Sequence, residues 1–270
     1  MTEKTNNHAP TVSIGMPVYN GEEYIRKALD SLLAQTFTDF ELIISDNCST
    51  DKTQEICNEY STRDSRIIYI RQDMNIGPAA NFEFVLQKSS GKYFMWAAHD
   101  DRWKCTFLEK LVAILMSDRE CGLAFSNYVV KNLQTGVEIP HRVHASAADN
   151  LACNFMIRTF YFCPSLVYGL YKIDLVKNTK FENFDFADVH FISELSLKSK
   201  IRVVDDYLYI AGTKGERLPY SLNDKKISRS QFLGKQSNLL KKHFSFPVNY
   251  LLFIIVCLFM AYNKIRLWRY

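Results

Sequence analysis

TVSIGMPVYNGEEYIRKALDSLLAQTFTDFELIISDN, residues 11–47, sets a pattern that the following stretch repeats. Residues 11–20 form a short apolar run rich in β-formers, punctuated by Pro17. Tyr24, Ile25, Ala28, Leu29, Leu32 and Leu33 then recur at helical spacing. FELIISDN, 40–47, reads as a second apolar strand. The connections are short, so strand, helix and strand follow one another directly.

The alternation continues. STDKTQEICNEY places Asp51 and Gln54 as in a capping box at a helix start. IIYIRQ (67–72) is a third strand, GPAANFEFVLQKSS (77–90) a third helix, KYFMWAA (92–98) a fourth strand and TFLEKLVAILMS (106–117) a further helix. The strands are almost continuously apolar, as strands covered on both faces must be. The expected fold class is α/β, an open, mostly parallel sheet flanked by helices. Ligands of such sheets bind outside the carboxyl ends of the strands. Those ends carry Tyr19, Asn20, Asp46, Asn47, Asn75, Asp100 and Asp101.

After residue 120 the pattern loosens. CGLAFSNYVVKN (121–132) opens a second region as a strand, SLVYGLYKIDLVKN reads as a strand and a short helix, FADVHFISELSLKSK as a helix beginning near Asp188, and IRVVDDYLYIAG as a last strand. The expected division is one domain over 11–227, with halves at 11–120 and 121–227, and a basic then apolar helical tail over 228–270.

A chain of 270 residues can bury a substantial core. Its 33 Lys and Arg against 29 Asp and Glu leave too small a basic excess to argue for a nucleic-acid partner. Seven cysteines stand without a CxxC pair or a metal-ligand spacing, which predicts free thiols in a reducing cytosol. The polar start MTEKTNNHAP has no apolar segment of the signal-peptide kind.

FMWAAHDDRW, 94–103, ends an apolar strand in two adjacent carboxylates. Crowded carboxylates need a cation or hydrogen bonds. Mg²⁺ or Mn²⁺ suits them, because hard cations prefer oxygen ligands and take only one or two protein carboxylates beside phosphate and water. An Asp-rich turn before a helix is the alternative, and the other polar strand ends favour the metal–diphosphate reading.

TVSIGMPVYNGEEYIRKALDSLLAQTFTDFELIISDNCSTDKT, NIGPAANF and GKYFMWAAHDDRW together resemble the nucleotide-sugar half of family 2 glycosyltransferases with the GT-A fold. A weaker likeness continues in YGLYKIDL and FADVHFISELSL. The resemblance implies an inverting transferase that moves a sugar from a UDP-, dTDP- or GDP-sugar to a hydroxyl of a glycan or lipid-linked acceptor, with Mn²⁺ or Mg²⁺. It implies that Pro17, Tyr19, Asn20 and Glu22 form the first nucleotide-contacting loop, that Asp46 contacts the base or ribose, and that Arg71, Asn75 and Gly77 border the nucleotide. By the same likeness Asp101 is the metal ligand and Asp100 the sugar or ribose contact; Ala98 stands where many members have another Asp. Each residue has a structural reading too. Pro17 can end a strand, Tyr19 pack, Asp46 cap a helix, and Asn75 with Gly77 form a turn.

Inverting transfer needs a base for the acceptor hydroxyl. The resemblance gives that role to Asp188, where many members carry Glu-Asp and this chain has Ala187-Asp188. An ordinary helix cap is the alternative. A late His that joins the metal in many relatives has no counterpart in IAGTKGERLPYS, where Lys214 and Arg217 are the basic residues. Two other classes stay open: a nucleotidyltransferase, although MPVYNGEEY lacks the expected Gly-rich basic loop, and a non-catalytic glycan- or membrane-binding module on a degenerate transferase fold.

SFPVNYLLFIIVCLFMAY, 245–262, has no charged residue and has basic residues on both sides. A short span, a re-entrant segment, an interfacial helix and a packed helix of the core or of a homo-oligomer all fit. The apolar run with basic flanks that attract anionic lipid favours membrane attachment, and positive charge on both sides sets no orientation; the cytoplasmic face is what the family resemblance implies.

Overall fold

The computed structural model describes residues 9–143, 163–179, 187–214 and 226–243, together with 245, 248 and 252. Arg217 and nearly all of the apolar run 246–262 lie outside these residues. Among the described residues, no helix is long and apolar enough to cross a membrane.

The first half builds as its periodicity requires. Strands β1 (Val12–Val18), β2 (Phe40–Asp46), β3 (Ile67–Arg71) and β4 (Tyr93–Trp96) run parallel in the order β3-β2-β1-β4. Helices α1 (Ile25–Leu33), α2 (Thr53–Arg63) and α3 (Pro78–Lys88) connect them. Every residue of β1 is buried, as befits a central strand covered on both faces. Pro17 sits inside β1 without breaking it. Pairing with β4 ends at Gly15, whose carbonyl takes the Ala97 N–H, so the donor that proline lacks has no ladder partner to lose.

The second half is mixed. After β5 (Arg102–Trp103) and α4 (Phe107–Ser117) come β6 (Cys121–Asn132), β7 (Glu138–His141), β8 (Leu170–Lys172), α5 (Ile173–Lys177), α6 (Ala187–Lys198), β9 (Lys200–Thr213) and α7 (Lys226–His243). The sheet continues β4-β8-β6-β9-β5, with β7 on β6. β8 is antiparallel to both β4 and β6, whereas β6 and β9 run parallel. Between Ser126 and Asn127 the β9 register jumps from Val204 to Tyr207, so Asp205 and Asp206 bulge outward.

One aromatic knot joins the halves. The buried Trp96 ring meets Phe94 at 4.9 Å, Phe191 of α6 at 5.7 Å and Tyr171 of β8 at 5.8 Å, while its Nε1 donates to the Phe82 carbonyl at 3.0 Å. Edge-on pairs of this kind are worth about 0.5–1.5 kcal/mol each beyond their burial. α7 packs on α6 through buried Leu239 and Leu240, and Gln236 Nε2 donates to Ser193 Oγ at 3.5 Å. The first part of the tail is therefore seated on the domain.

Candidate functional site

The carboxyl ends of β1, β2, β3 and β4 fall on one edge, and the loops leaving them are laced together. β1 exits through Asn20 and β2 through Cys48, both in left-handed backbone at φ 51° and 60°. Asparagine adopts this region more readily than most residues, because its side chain bonds locally. Here Asn20 Oδ1 accepts the Thr50 N–H at 2.9 Å, and the Asn20 N–H donates to Ser49 Oγ at 2.9 Å. The Gly21 N–H donates to Thr53 Oγ1 at 2.7 Å. Glu22 Oε2 accepts the Lys52 N–H at 2.8 Å, and Asp51 Oδ2 accepts the Glu22 N–H at 3.0 Å. Asp51 does not form the expected box with Gln54. Its other oxygen takes the Thr53 N–H and hydroxyl, so it staples two loops rather than capping one helix. Asn20 and Glu22 thus shape the first loop, while Tyr19, 46% exposed, offers a ring at its surface.

Asp46 is fully buried at the end of β2. Its Oδ2 accepts from Arg71 Nη1 at 2.7 Å and from the Tyr69 hydroxyl at 2.8 Å, and its Oδ1 from the Ser49 N–H at 2.8 Å. Arg71 Nη2 also donates to the Ser49 carbonyl at 2.9 Å. Burial, followed by the bond to Asp46, holds the Tyr69 phenol above its ordinary value, so it remains a neutral donor. Asp46 therefore fixes the half-buried guanidinium of Arg71.

Asn75 and Gly77 are positioned by a residue that the motif reading left out of the site. Asn47, buried, donates through Nδ2 to Asn75 Oδ1 at 2.9 Å and accepts the Ile76 N–H at 2.8 Å. Asn75 Oδ1 also accepts the Gly77 N–H at 2.9 Å. Gly77 stands at φ 83°, in backbone that glycine tolerates, and hands the chain to Pro78 at the first turn of α3.

The Asp pair divides. Asp101 is 4% exposed; Oδ1 accepts the Gly212 N–H at 2.8 Å and Oδ2 the hydroxyl of Tyr209, both from β9. Asp100 is half-buried and makes no side-chain hydrogen bond to another described residue. His99, beside them, lies against Gly21, where an added Cβ would stand 3.0 Å from its ring. Burial lowers the imidazole's pKa, against the opposing pull of Asp100 and Asp51, and Lys214 lowers it further. Lys214 lies 3.6 Å from Glu23 and over the Tyr24 ring at 4.5 Å, so β9 ends across the first loop. Among the described residues no cluster of three His, Cys, Asp or Glu could hold a metal. The donor set fits an ion held by the open Asp100 carboxylate, with phosphate and water as the remaining ligands.

Asp188 lies in the first turn of α6. It is one turn ahead of Phe191, which touches Trp96, so the two side chains lie on the same side of α6. No hydrogen bond ties Asp188 to the strand-end loops among the described residues. Burial raises its carboxyl above the ordinary range, with the Val189 N–H opposing.

Comparison with known proteins agrees with this architecture. A family model described as Glycosyl transferase family 2 matches residues 13–175. A Bacillus subtilis protein named as a teichuronic acid biosynthesis glycosyltransferase, TuaG, is 34% identical over 139 residues, covering 52% of this chain and 54% of its own. Glycosyltransferase GlyA of Streptococcus pneumoniae is 27% identical over 251 residues, covering 86% of this chain and 36% of its own. The chain thus spans about half, or less, of the length of these relatives. S. aureus TarS 1–349 in complex with UDP-GlcNAc superposes with a TM-score of 0.65 at 21% identity, over 85% of this chain and 65% of that one. Mannosyltransferase PcManGT from Pyrobaculum calidifontis, in complex with GDP-Man and Mn²⁺, superposes at 0.58 and 16% identity, over 95% of this chain and 70% of that one. These likenesses show a GT-A fold.

Proposed function

The chain belongs to glycosyl transferase family 2, and on that premise we propose that it transfers a sugar from a nucleoside-diphosphate sugar to an acceptor hydroxyl with inversion. One observation carries the reading. A single sheet edge gathers the Asp46-braced guanidinium of Arg71, the exposed Tyr19 and the open carboxylate of Asp100. Tyr19 and Arg71 face the nucleoside. The loop of Asn75 and Gly77 borders it, with Asn20 and Glu22 holding the opposite wall. UDP- and GDP-sugars are the first donors to test, since related folds bind them.

Asp100 rather than Asp101 would hold Mn²⁺ or Mg²⁺, because Asp101 is 4% exposed and a bond to each of its oxygens turns it onto β9. Such an ion, when bound, neutralises charge on a departing diphosphate. Asp188 takes the proton from the acceptor hydroxyl as that oxygen attacks the anomeric carbon and the bond to the diphosphate breaks. A carboxyl held above its ordinary pKa by burial is the stronger base for this task.

The test is nucleoside diphosphate release from UDP-, dTDP- and GDP-sugars, with and without Mn²⁺. One nucleotide class should support release, and Asp100→Asn should remove the metal dependence. Pyrophosphate release would instead mark a nucleotidyltransferase. No release from any donor would leave a binding module.

The acceptor reading rests on the tail. Residues 246–262 supply an uncharged apolar run with basic flanks, which supports a lipid-linked or surface-glycan acceptor at the inner membrane face. Deleting residues 244–270 should move the protein from the membrane to the soluble fraction and leave donor binding in place. Full-length protein that stays soluble at low salt would point to a packed helix instead.

A further inference from the structure

Resting on the nucleotide-sugar reading above, we propose that Asp101 is a positioning residue, a latch onto β9 that aims Asp100, with the Tyr209 hydroxyl and the Gly212 N–H as its two catches. The latch has two points. Gly212 donates to Oδ1 at 2.8 Å, and Tyr209, three residues earlier on β9, donates to Oδ2. Two bonds to opposite oxygens fix both the place and the rotation of a carboxylate, which one bond would not do.

The catches are themselves rigid. The Tyr209 ring is buried between Phe125 at 5.5 Å, Trp103 at 5.9 Å and Tyr168 at 5.9 Å, so its hydroxyl cannot swing away. Gly212 lies so close to the Asp turn that an added Cβ would meet the Asp100 carbonyl oxygen at 2.1 Å. The backbone of β9 therefore rests directly on the main chain of Asp100. β5 prolongs the fastening, pairing Arg102 with Ile210 and Trp103 with Tyr209. Among the described residues, Asp100 makes no side-chain hydrogen bond and stays half-buried. Asp101 is 4% exposed and is turned onto β9 by a bond to each oxygen, so Asp100 is the carboxylate of the pair placed to meet an ion.

The experiment compares Asp101→Asn, Asp101→Ala, Tyr209→Phe and Asp100→Asn in the full chain. One readout needs no ligand, namely amide hydrogen exchange at Gly212. The other is calorimetry of UDP and GDP binding with and without Mn²⁺. Asparagine at 101 can still accept from Gly212 and donate to the Tyr209 oxygen. It should keep the Gly212 amide protected and cost Mn²⁺-dependent affinity no more than about tenfold. Asp100→Asn should also keep that amide protected but abolish the Mn²⁺ dependence. Asp101→Ala should speed Gly212 exchange by about 10–100-fold, the loss of one charge-assisted bond. If that variant does not fold, Tyr209→Phe, which keeps the ring and loses only the hydroxyl, decides. It should weaken the Mn²⁺-dependent part of nucleotide binding and leave the metal-independent part, a split that general destabilisation would not produce. Abolished Mn²⁺ dependence in Asp101→Asn with a protected Gly212 amide would make Asp101 a ligand and overturn the proposal. So would Gly212 exchange that ignores Asp101→Ala. If the unmodified protein binds neither nucleotide and the UDP-, dTDP- and GDP-sugar panel gives no release, the donor reading fails and the exchange data alone judge the latch.

Discussion

Two buried asparagines, one in each half, make the same pair of bonds. Asn47 donates to Asn75 at 2.9 Å and accepts the Ile76 N–H at 2.8 Å. Asn127 donates to Asp205 at 2.9 Å and accepts the Val143 N–H at 2.9 Å. They differ in reach. Asn47 and Asn75 are 28 residues apart, whereas Asn127 and Asp205 are 78 apart. A parallel strand–helix repeat returns the chain to the same sheet edge after one unit, so the first-half loops find one another at 22–32 residues. The second half closes on itself through β9, and its bonds to the Asp turn span 108 and 111 residues. On the proposed function the first half is a local cradle for the nucleotide, and the second half is the clamp on the Asp turn.

The sharpest break of this comparison concerns Asp188, which belongs to the second half by sequence and to the reaction by proposal. Asp188→Asn should lower turnover by about 10²–10⁴-fold while donor affinity holds. Its effect on stability should have the opposite sign. Burial raises the folded pKa, so the favourable contribution is complete below the ordinary carboxylate value and is lost as pH rises through the raised one. At neutral pH the buried charge is a cost, and asparagine removes it. The variant should melt higher than the parent at pH 7, with the advantage fading in acid. The parent's rate should fall as pH drops through the raised pKa. A variant that melts lower at pH 7 and still turns over would make Asp188 a simple cap.

The second prediction strikes where the halves touch. Gly212→Ala must push a methyl group against the Asp100 carbonyl and the Leu133 side chain, 2.1 and 3.0 Å from the new Cβ. Overpacking of this kind costs about 1–3 kcal/mol. Calorimetry should find Mn²⁺-dependent nucleotide binding lost in a protein that still folds. Parent-like binding would mean that β9 does not set the Asp turn.

The same difference in reach decided what could be read in advance. Continuous apolar runs and a stripe at helical spacing placed β1, α1, β2 and β6 within a residue or two of their observed ends, because those signals are local. The strand ends that converge on one edge were legible for the same reason. The partners were not. Asp51 stood at capping-box spacing from Gln54, yet it serves Glu22 across the edge. Asp100 and Asp101 are adjacent and chemically identical; the family likeness gave the metal to Asp101, and it is the bonds of Asp101 to β9, more than 100 residues downstream, that favour Asp100 instead. Tyr209 and Gly212 look like ordinary strand residues in YLYIAG; nothing within that stretch marks them as the catches of a carboxylate.

The matched asparagines give the third prediction. Asn127→Ala strands the Val143 N–H in a buried contact and should destabilise the fold by about 1–3 kcal/mol in denaturant titration, whereas Asn47→Ala releases the Ile76 N–H at an exposed residue, where water can replace the lost bond, and should cost less. Only Asn47→Ala should also weaken nucleotide binding, because it frees the loop of Asn75 and Gly77. Equal losses of nucleotide affinity in both variants would remove the distinction between cradle and clamp.

The smallest effect is expected at the neighbouring arm of the β9 bulge. Asp206, beside Asp205, takes its bond from Lys110 of α4 at 2.7 Å, and these side chains are 50% and 42% exposed. An exposed pair of this kind gains little Coulomb energy in water and costs side-chain entropy, so Lys110→Ala should change stability by less than about 1 kcal/mol. The Debye length shortens to about 3 Å in 1 M salt, so even that difference should fade there. Asn127→Ala, acting on the same bulge from the buried side, should keep its full cost at either ionic strength. Paired denaturant titrations at low and high salt separate the two. If Lys110→Ala proved as costly as Asn127→Ala, the bulge would be held from its solvent face, and the second half would depend on α4 rather than on the buried contact between β6 and β9.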